Sequence, residues 1–176
     1  MDSSFEERLK GGHPNSLGNT VEIVEEVLTN PVLFEQLFNC YLSEDEVVRL
    51  RVSNAMKRIC KADKALLIPY IDRLIHEISR IDQASTQWTL ASLFHDLKKE
   101  MTSDQKTQAL EIMKHNLETH HDWIVLNTTM QTLSTWDQND QMLRAFMIRC
   151  LKKIVQDERK SVHKKATTLL RNLEHN

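Results

Sequence analysis

"SEDEVVRLRVSNAMKRI", residues 43–59, opens with turn chemistry and continues with apolar side chains at helical spacing. Val48, Val52, Ala55, Met56 and Ile59 fall on one face of a helix. The pattern returns. A shift of 38 residues finds Thr86, Leu90, Leu93, Phe94 and Leu97 in the same places. A further 36 finds Asp122, Leu126, Thr129, Met130 and Leu133, and 40 more finds Val162, Ala166, Leu169, Leu170 and Leu173. The last four columns are apolar in 15 of 16 places, Thr129 being the exception. The first column is mixed, which marks the helix N-terminus.

Second helices lie between these first ones. Ile71, Leu74 and Ile78 correspond to Leu110, Met113 and Leu117, and then to Met147, Cys150 and Ile154, at spacings of 39 and 37. A helix pair recurring every 36 to 40 residues is the pattern of an α-solenoid, in which one pair completes its core by stacking on the next. The columns predict Leu93, Phe94, Leu133 and Leu170 at buried pair–pair contacts.

Capping chemistry agrees. Ser43 with Glu46 and Thr102 with Gln105 have the capping-box spacing. Asn30 precedes Pro31, the order of an N-cap and a first helical position. Asp82, Asp122 and Asp157 stand before first helices as candidate caps, and Pro69 stands near the start of a second helix. The expected helices are 20–29, 31–42, 44–61, 66–80, 83–99, 103–118, 122–136, 139–156 and 160–174.

Composition points the same way. Glycine occurs only at Gly11, Gly12 and Gly18, and none follows from Asn19 to Asn176. A long glycine-free body suits an all-α chain with short polar connections. Residues 1–19 read as an N-terminal tail or short helix with a Gly-rich link, and 20–176 as one helical domain. No apolar run approaches the ~18 residues of a membrane span. The N-terminal MDSSFEERLK is acidic and lacks the apolar stretch of a secretory signal. Cys40, Cys60 and Cys150 sit in apolar helical patterns with no CxxC pair, which reads as reduced, buried thiols of a cytoplasmic protein.

Asp45, Val48, Arg49, Ala55 and Ile59, followed by "LLIPYIDRLI" at 66–75, resemble a HEAT repeat. There an Asp-x-x-Val-Arg run opens the first helix and a proline opens the second. Later repeats keep the apolar columns but replace Val-Arg with Thr86-Gln87 and Asp122-Trp123. The resemblance implies a right-handed α–α superhelix, a HEAT- or armadillo-like solenoid of about four to five helix pairs. Members of such families mostly act as binding scaffolds.

Charge is distributed unevenly. Residues 1–48 carry ten acids and two bases, net −8, whereas 142–176 carry nine bases and three acids, net +6. The residues between are neutral overall. The basic set comprises Arg144, Arg149, Lys152, Lys153, Arg159, Lys160, Lys164, Lys165 and Arg171. Three readings are open: a docking site for an acidic or phosphate-rich partner, a solvated cap, and head-to-tail contact between the acidic and basic ends of two chains. Lys152, Lys153, Lys160, Lys164 and Lys165 are expected to form a contiguous positive surface.

A protein-binding scaffold is the expected function, with no catalysis implied and nucleic acid or another polyanion as the alternative ligand. The identity of the protein partner and the oligomeric state are not readable. On the second helices, Asp72, Arg73, His76, Glu77, Glu111, His115, Lys152 and Lys153 flank the apolar columns and are the candidate contact residues. Arg149, Lys160, Lys164 and Lys165 join them at the basic end. His76 and His115 occupy equivalent places 39 residues apart, with Glu77 and Glu111 near them in sequence. The set is too loose for a metal site, and no HExxH pattern, phosphate loop or nucleophile elbow occurs, so neither metal nor cofactor is expected. Trp88, Trp123 and Trp136 read as core or edge packing.

Overall fold

The computed structural model describes residues 4–136 and 139–175, and all regular structure among them is helical. The chain divides into two compact units, Met1–Met101 and Thr102–Asn176.

In the first unit α1 spans Phe5–Leu9, α2 Thr20–Thr29, α3 Phe34–Asn39, α4 Glu46–Ala62, α5 Ile71–His76 and α6 Ala84–Leu97. The helix α4 is central: α2 packs on one part of it and α6 on another. Its column Val48, Val52, Ala55, Met56 and Ile59 is fully buried, as are Leu93, Phe94 and Leu97 of α6. Complete burial of one such side chain stabilises the fold by about 1.5–3 kcal/mol. Thr86 fills the mixed first column, also fully buried.

Helices placed by periodicity differ in their ends and continuity. The cap of α4 is Asp45, whose Oδ1 accepts from the Val47 amide at 2.8 Å. Ser43 does not form the expected capping box; its hydroxyl accepts from the Asp45 amide and donates to Glu6. The expected helix 66–80 is broken into 3-10 turns at Lys64–Leu66, Ile68–Tyr70 and Ile78–Arg80 around the short α5. Pro69 lacks an amide hydrogen, so the chain ahead of α5 leaves the α-helical ladder. Likewise 31–42 becomes a 3-10 turn at Pro31–Leu33, α3, and a second 3-10 turn at Cys40–Leu42. The Asn30 side chain makes no capping bond there. Gln83, not Asp82, is the residue before α6, and its side chain does not cap the helix.

Residues 5–18 lie on α4. Phe5 and Leu9 are buried, and the loop after α1 wraps the guanidinium of Arg51, which is 2% exposed. Arg51 donates to the carbonyls of Leu9, His13 and Ser16. Gly18 adopts φ +51°, and a Cβ there would stand 2.9 Å from Arg51 Cζ. This glycine therefore serves both the left-handed turn and the close approach to the arginine.

In the second unit α7 spans Ser103–Thr119, α8 Trp123–Ser134, α9 Gln141–Ile154 and α10 Lys160–His175. The capping box of Thr102 and Gln105 is complete, and Asp122 accepts from the amides of Ile124 and Val125. Asp157 lies ahead of α10 and accepts from the Arg159 amide instead of opening the helix. Helix α8 packs on α7 and α10, and α9 packs on α10. Thr129, the polar exception in the columns, is fully buried with its hydroxyl unpaired among the described residues. The expected burial of Leu170 does not hold: Leu169, Leu170 and Leu173 are only half-buried, although Val162 and Ala166 are buried. The cover of α8 and α9 is complete over the first half of α10 and partial over its second half.

Candidate functional site

In the first unit, the second-helix candidates Asp72, His76 and Glu77 are exposed and Arg73 is half-buried. Arg73 is held by three groups. Its Nε bonds Glu77 Oε2 at 2.9 Å, and its Cζ lies 4.8 Å from the ring centre of Phe38 and 5.9 Å from that of Tyr70. Tyr70 in turn meets Phe34 edge-on at 4.8 Å. Burial, with the Glu35 carboxylate adding to it, pushes the Tyr70 phenol up. The result is an aromatic shelf carrying a fixed guanidinium, an arrangement whose stacking stabilises the half-buried cation. Sequence spacing gave Arg73 but missed Phe34, Phe38 and Tyr70, because they come from α3 and the turn before α5.

The second unit carries a related cluster. Phe146 of α9 is buried between two cations, with Lys114 Nζ at 5.1 Å and Arg149 Cζ at 5.2 Å from its ring centre. Lys114 pairs with Glu111 at 2.8 Å and Arg149 with Glu118 at 3.0 Å. Glu111 and Arg149, chosen separately by sequence, thus belong to one cluster through Phe146. His115 is exposed and stands apart from it. His76 and His115 belong to different units. Among the described residues, no group of three or more His, Cys, Asp or Glu is placed to hold a metal ion.

The basic residues split into two groups. Arg144 bonds the Leu173 carbonyl, Lys152 pairs with Glu174 at 3.5 Å, and Lys165 Nζ donates to Gln131 Oε1 at 3.0 Å. Arg159 clasps Asp157 through two nitrogens and donates to the His121 carbonyl. Those bonds from Arg159 hold the Asp157 carboxyl down at about 2. Lys153, Lys160, Lys164 and Arg171 are exposed and form no ion pair among the described residues. The five lysines expected to act together are therefore divided: Lys165 is half-buried against α8, and Lys152 is already paired.

A cleft of about 530 Å³ opens in the second unit, lined by Leu133, Leu143, Met147, Leu169 and Leu173, with Arg144 at its edge. Trp136 is buried and Trp88 half-buried, whereas Trp123, expected to pack, is 48% exposed at the first turn of α8. The three thiols are buried and free; burial pushes Cys40 and Cys60 up to about 11 and raises Cys150, so all stay protonated at neutral pH. Among the described residues, no helix is long and apolar enough to cross a membrane.

No family model, curated protein or solved structure matches this chain. The surfaces described above therefore carry the functional argument by their own chemistry.

Proposed function

We propose that this chain is a cytoplasmic protein-binding scaffold, a HEAT-like α-solenoid that holds its partner on the surface of its second helices. One observation carries the reading. Within each unit, side chains tie one helix pair to the next at nearly the repeat interval. Arg49 Nε bonds Gln83 Oε1, Gln83 Nε2 bonds the Glu46 carbonyl, and Lys64 pairs with Glu100, at separations of 34, 37 and 36 residues. In the second unit Asn127 meets Ser161, Gln131 meets Lys165 and His121 meets Arg159, at 34, 34 and 38 residues. Stacked pairs of this kind leave polar side chains of the second helices exposed within each unit, where a partner can reach them. Asp72, His76, Glu77, Glu111, His115, Lys152 and Lys153 are all exposed. Arg73 and Arg149, fixed over aromatic rings, supply rigid cationic anchors of the kind enriched at binding hot spots.

A second reading, polyanion binding, is favoured by Lys153, Lys160, Lys164 and Arg171, exposed and without an ion pair among the described residues. Affinity capture with the intact chain, with and without nuclease, separates the two. The scaffold reading expects one protein partner that survives nuclease, is lost with Asp72→Lys/His76→Asp and is kept with Lys160→Glu/Lys164→Glu. Loss on nuclease treatment, together with loss in the lysine variant alone, would establish the polyanion reading instead.

A further inference from the structure

We infer that α10 of one copy docks on α2 of a second copy, giving head-to-tail self-association. This interface is separate from the second-helix surface and adds to it. In the first unit α2 packs on α4 and α4 on α6; in the second, α8 packs on α10. Within each unit one first helix thus offers its flank to the next. The outer face of α2 exposes acids beside apolar side chains, and that of α10 exposes a cationic stripe.

On α2, Thr20, Ile23, Val24 and Val27 are buried. Glu22 and Glu25 on the opposite face and Val21 beside them are exposed, Leu28 one turn further on is half-buried, and Val32 beyond the helix is exposed. Glu25 forms no ion pair among the described residues, and Glu22 lies 3.6 Å from Arg8, which already holds Glu26 at 2.7 Å. On α10, Val162 and Ala166 are buried, and the opposite face carries Lys160, Lys164 and Arg171. Their spacing of four and seven residues keeps them in one stripe about 16 Å long, and Glu22 and Glu25 stand about one turn apart on α2. The two faces oppose in charge, within segments of net −8 and net +6. An anionic helix face and a cationic one attract at low salt and fix orientation. Because the two faces differ, the contact is heterologous and propagates into chains or rings.

Sedimentation velocity on the intact chain tests the inference. The sedimentation coefficient rises with protein concentration at low salt. The rise disappears at high salt, since the Debye length falls from about 30 Å at 10 mM to about 3 Å at 1 M. Glu22→Lys/Glu25→Lys and Lys160→Glu/Lys164→Glu/Arg171→Glu are each monomeric, because each brings like charges together. Mixing the two variants restores association, since both junctions in the mixture then pair opposite charges. Unchanged circular dichroism excludes misfolding, and capture of the protein partner by the Glu22→Lys/Glu25→Lys variant reports on the second-helix surface independently. A monomer at every salt concentration up to about 1 mM protein, or a variant mixture that stays monomeric, would overturn the inference. So would binding of an oligonucleotide by the α10 stripe with no self-association.

Discussion

Replacement of Arg51 by methionine lowers the stability of the first unit by about 3 kcal/mol or more. The side chain is 2% exposed, and the partners of its guanidinium are the main-chain carbonyls of Leu9, His13 and Ser16. Methionine fills the aliphatic part of the space and leaves those acceptors without donors. Each buried acceptor left unmade costs about 1–3 kcal/mol unless the loop opens to water. Opening the loop also releases α1, whose Phe5 and Leu9 are buried. Denaturant unfolding measures the loss, and limited proteolysis after Lys10 reports the opening. Arg51→Lys recovers only part of it, because one ammonium cannot match a planar fork reaching three carbonyls. A methionine variant within about 0.5 kcal/mol of the parent would mean that the loop is held by something else.

Truncation of Phe94 to alanine costs about 3–5 kcal/mol. Its ring is fully buried on α6, the helix that packs on α4. Phe94→Leu keeps most of the volume and costs less than about 1.5 kcal/mol. The ratio of the two distinguishes a packed core position from a surface one. A near-zero cost for alanine would show that α6 presents a different face to α4.

Periodicity made the core of α4 and α6 legible because burial on a helix follows the 3.6-residue turn, whatever the neighbours are. Val52, Met56, Leu90 and Phe94 needed no knowledge of contacts, and Asp122 and Thr102 needed only local cap chemistry. Arg51 was not legible in the same way. It lies about 40° round the helix from Ala55, at the edge of the buried face, and charge places such a residue outside by default. The available signal was the cluster Gly11, Gly12 and Gly18, each at positive φ, which marks a loop folded tightly onto something. The helix 66–80 was drawn continuous because its apolar spacing is continuous. The break ahead of α5 comes with Pro69, which acts on the backbone and leaves the apolar pattern intact. Leu170 fits its column as well as Phe94 does, yet burial there depends on a neighbour that the pattern cannot supply.

Of the candidate site, individual residues were legible and their groupings were not. Arg73 and Glu77 are four apart on one helix, so their pairing could be read from spacing. The aromatic rings beneath Arg73 and the Phe146 bridge between Lys114 and Arg149 join segments far apart in sequence. The basic set illustrates the same point: Lys160 and Lys165 are near neighbours in sequence, but only Lys160 remains unpaired and exposed, while Lys165 reaches back to Gln131.

Within each unit one first helix stacks on the next at the repeat interval. A disulfide trap between Asn127→Cys and Ser161→Cys tests it most directly. In the parent, Asn127 Nδ2 lies 3.4 Å from Ser161 Oγ across α8 and α10. Cys40, Cys60 and Cys150 are buried and compete little for the oxidant. Mild oxidation of the double variant closes an intramolecular 127–161 disulfide in nearly all molecules, read by mass spectrometry of the unreduced digest. The control pair Asn127→Cys with Arg171→Cys, whose second position is exposed and about 15 Å further along α10 than position 161, stays open. No closure at 127–161, or equal closure in the control, would contradict the stacking.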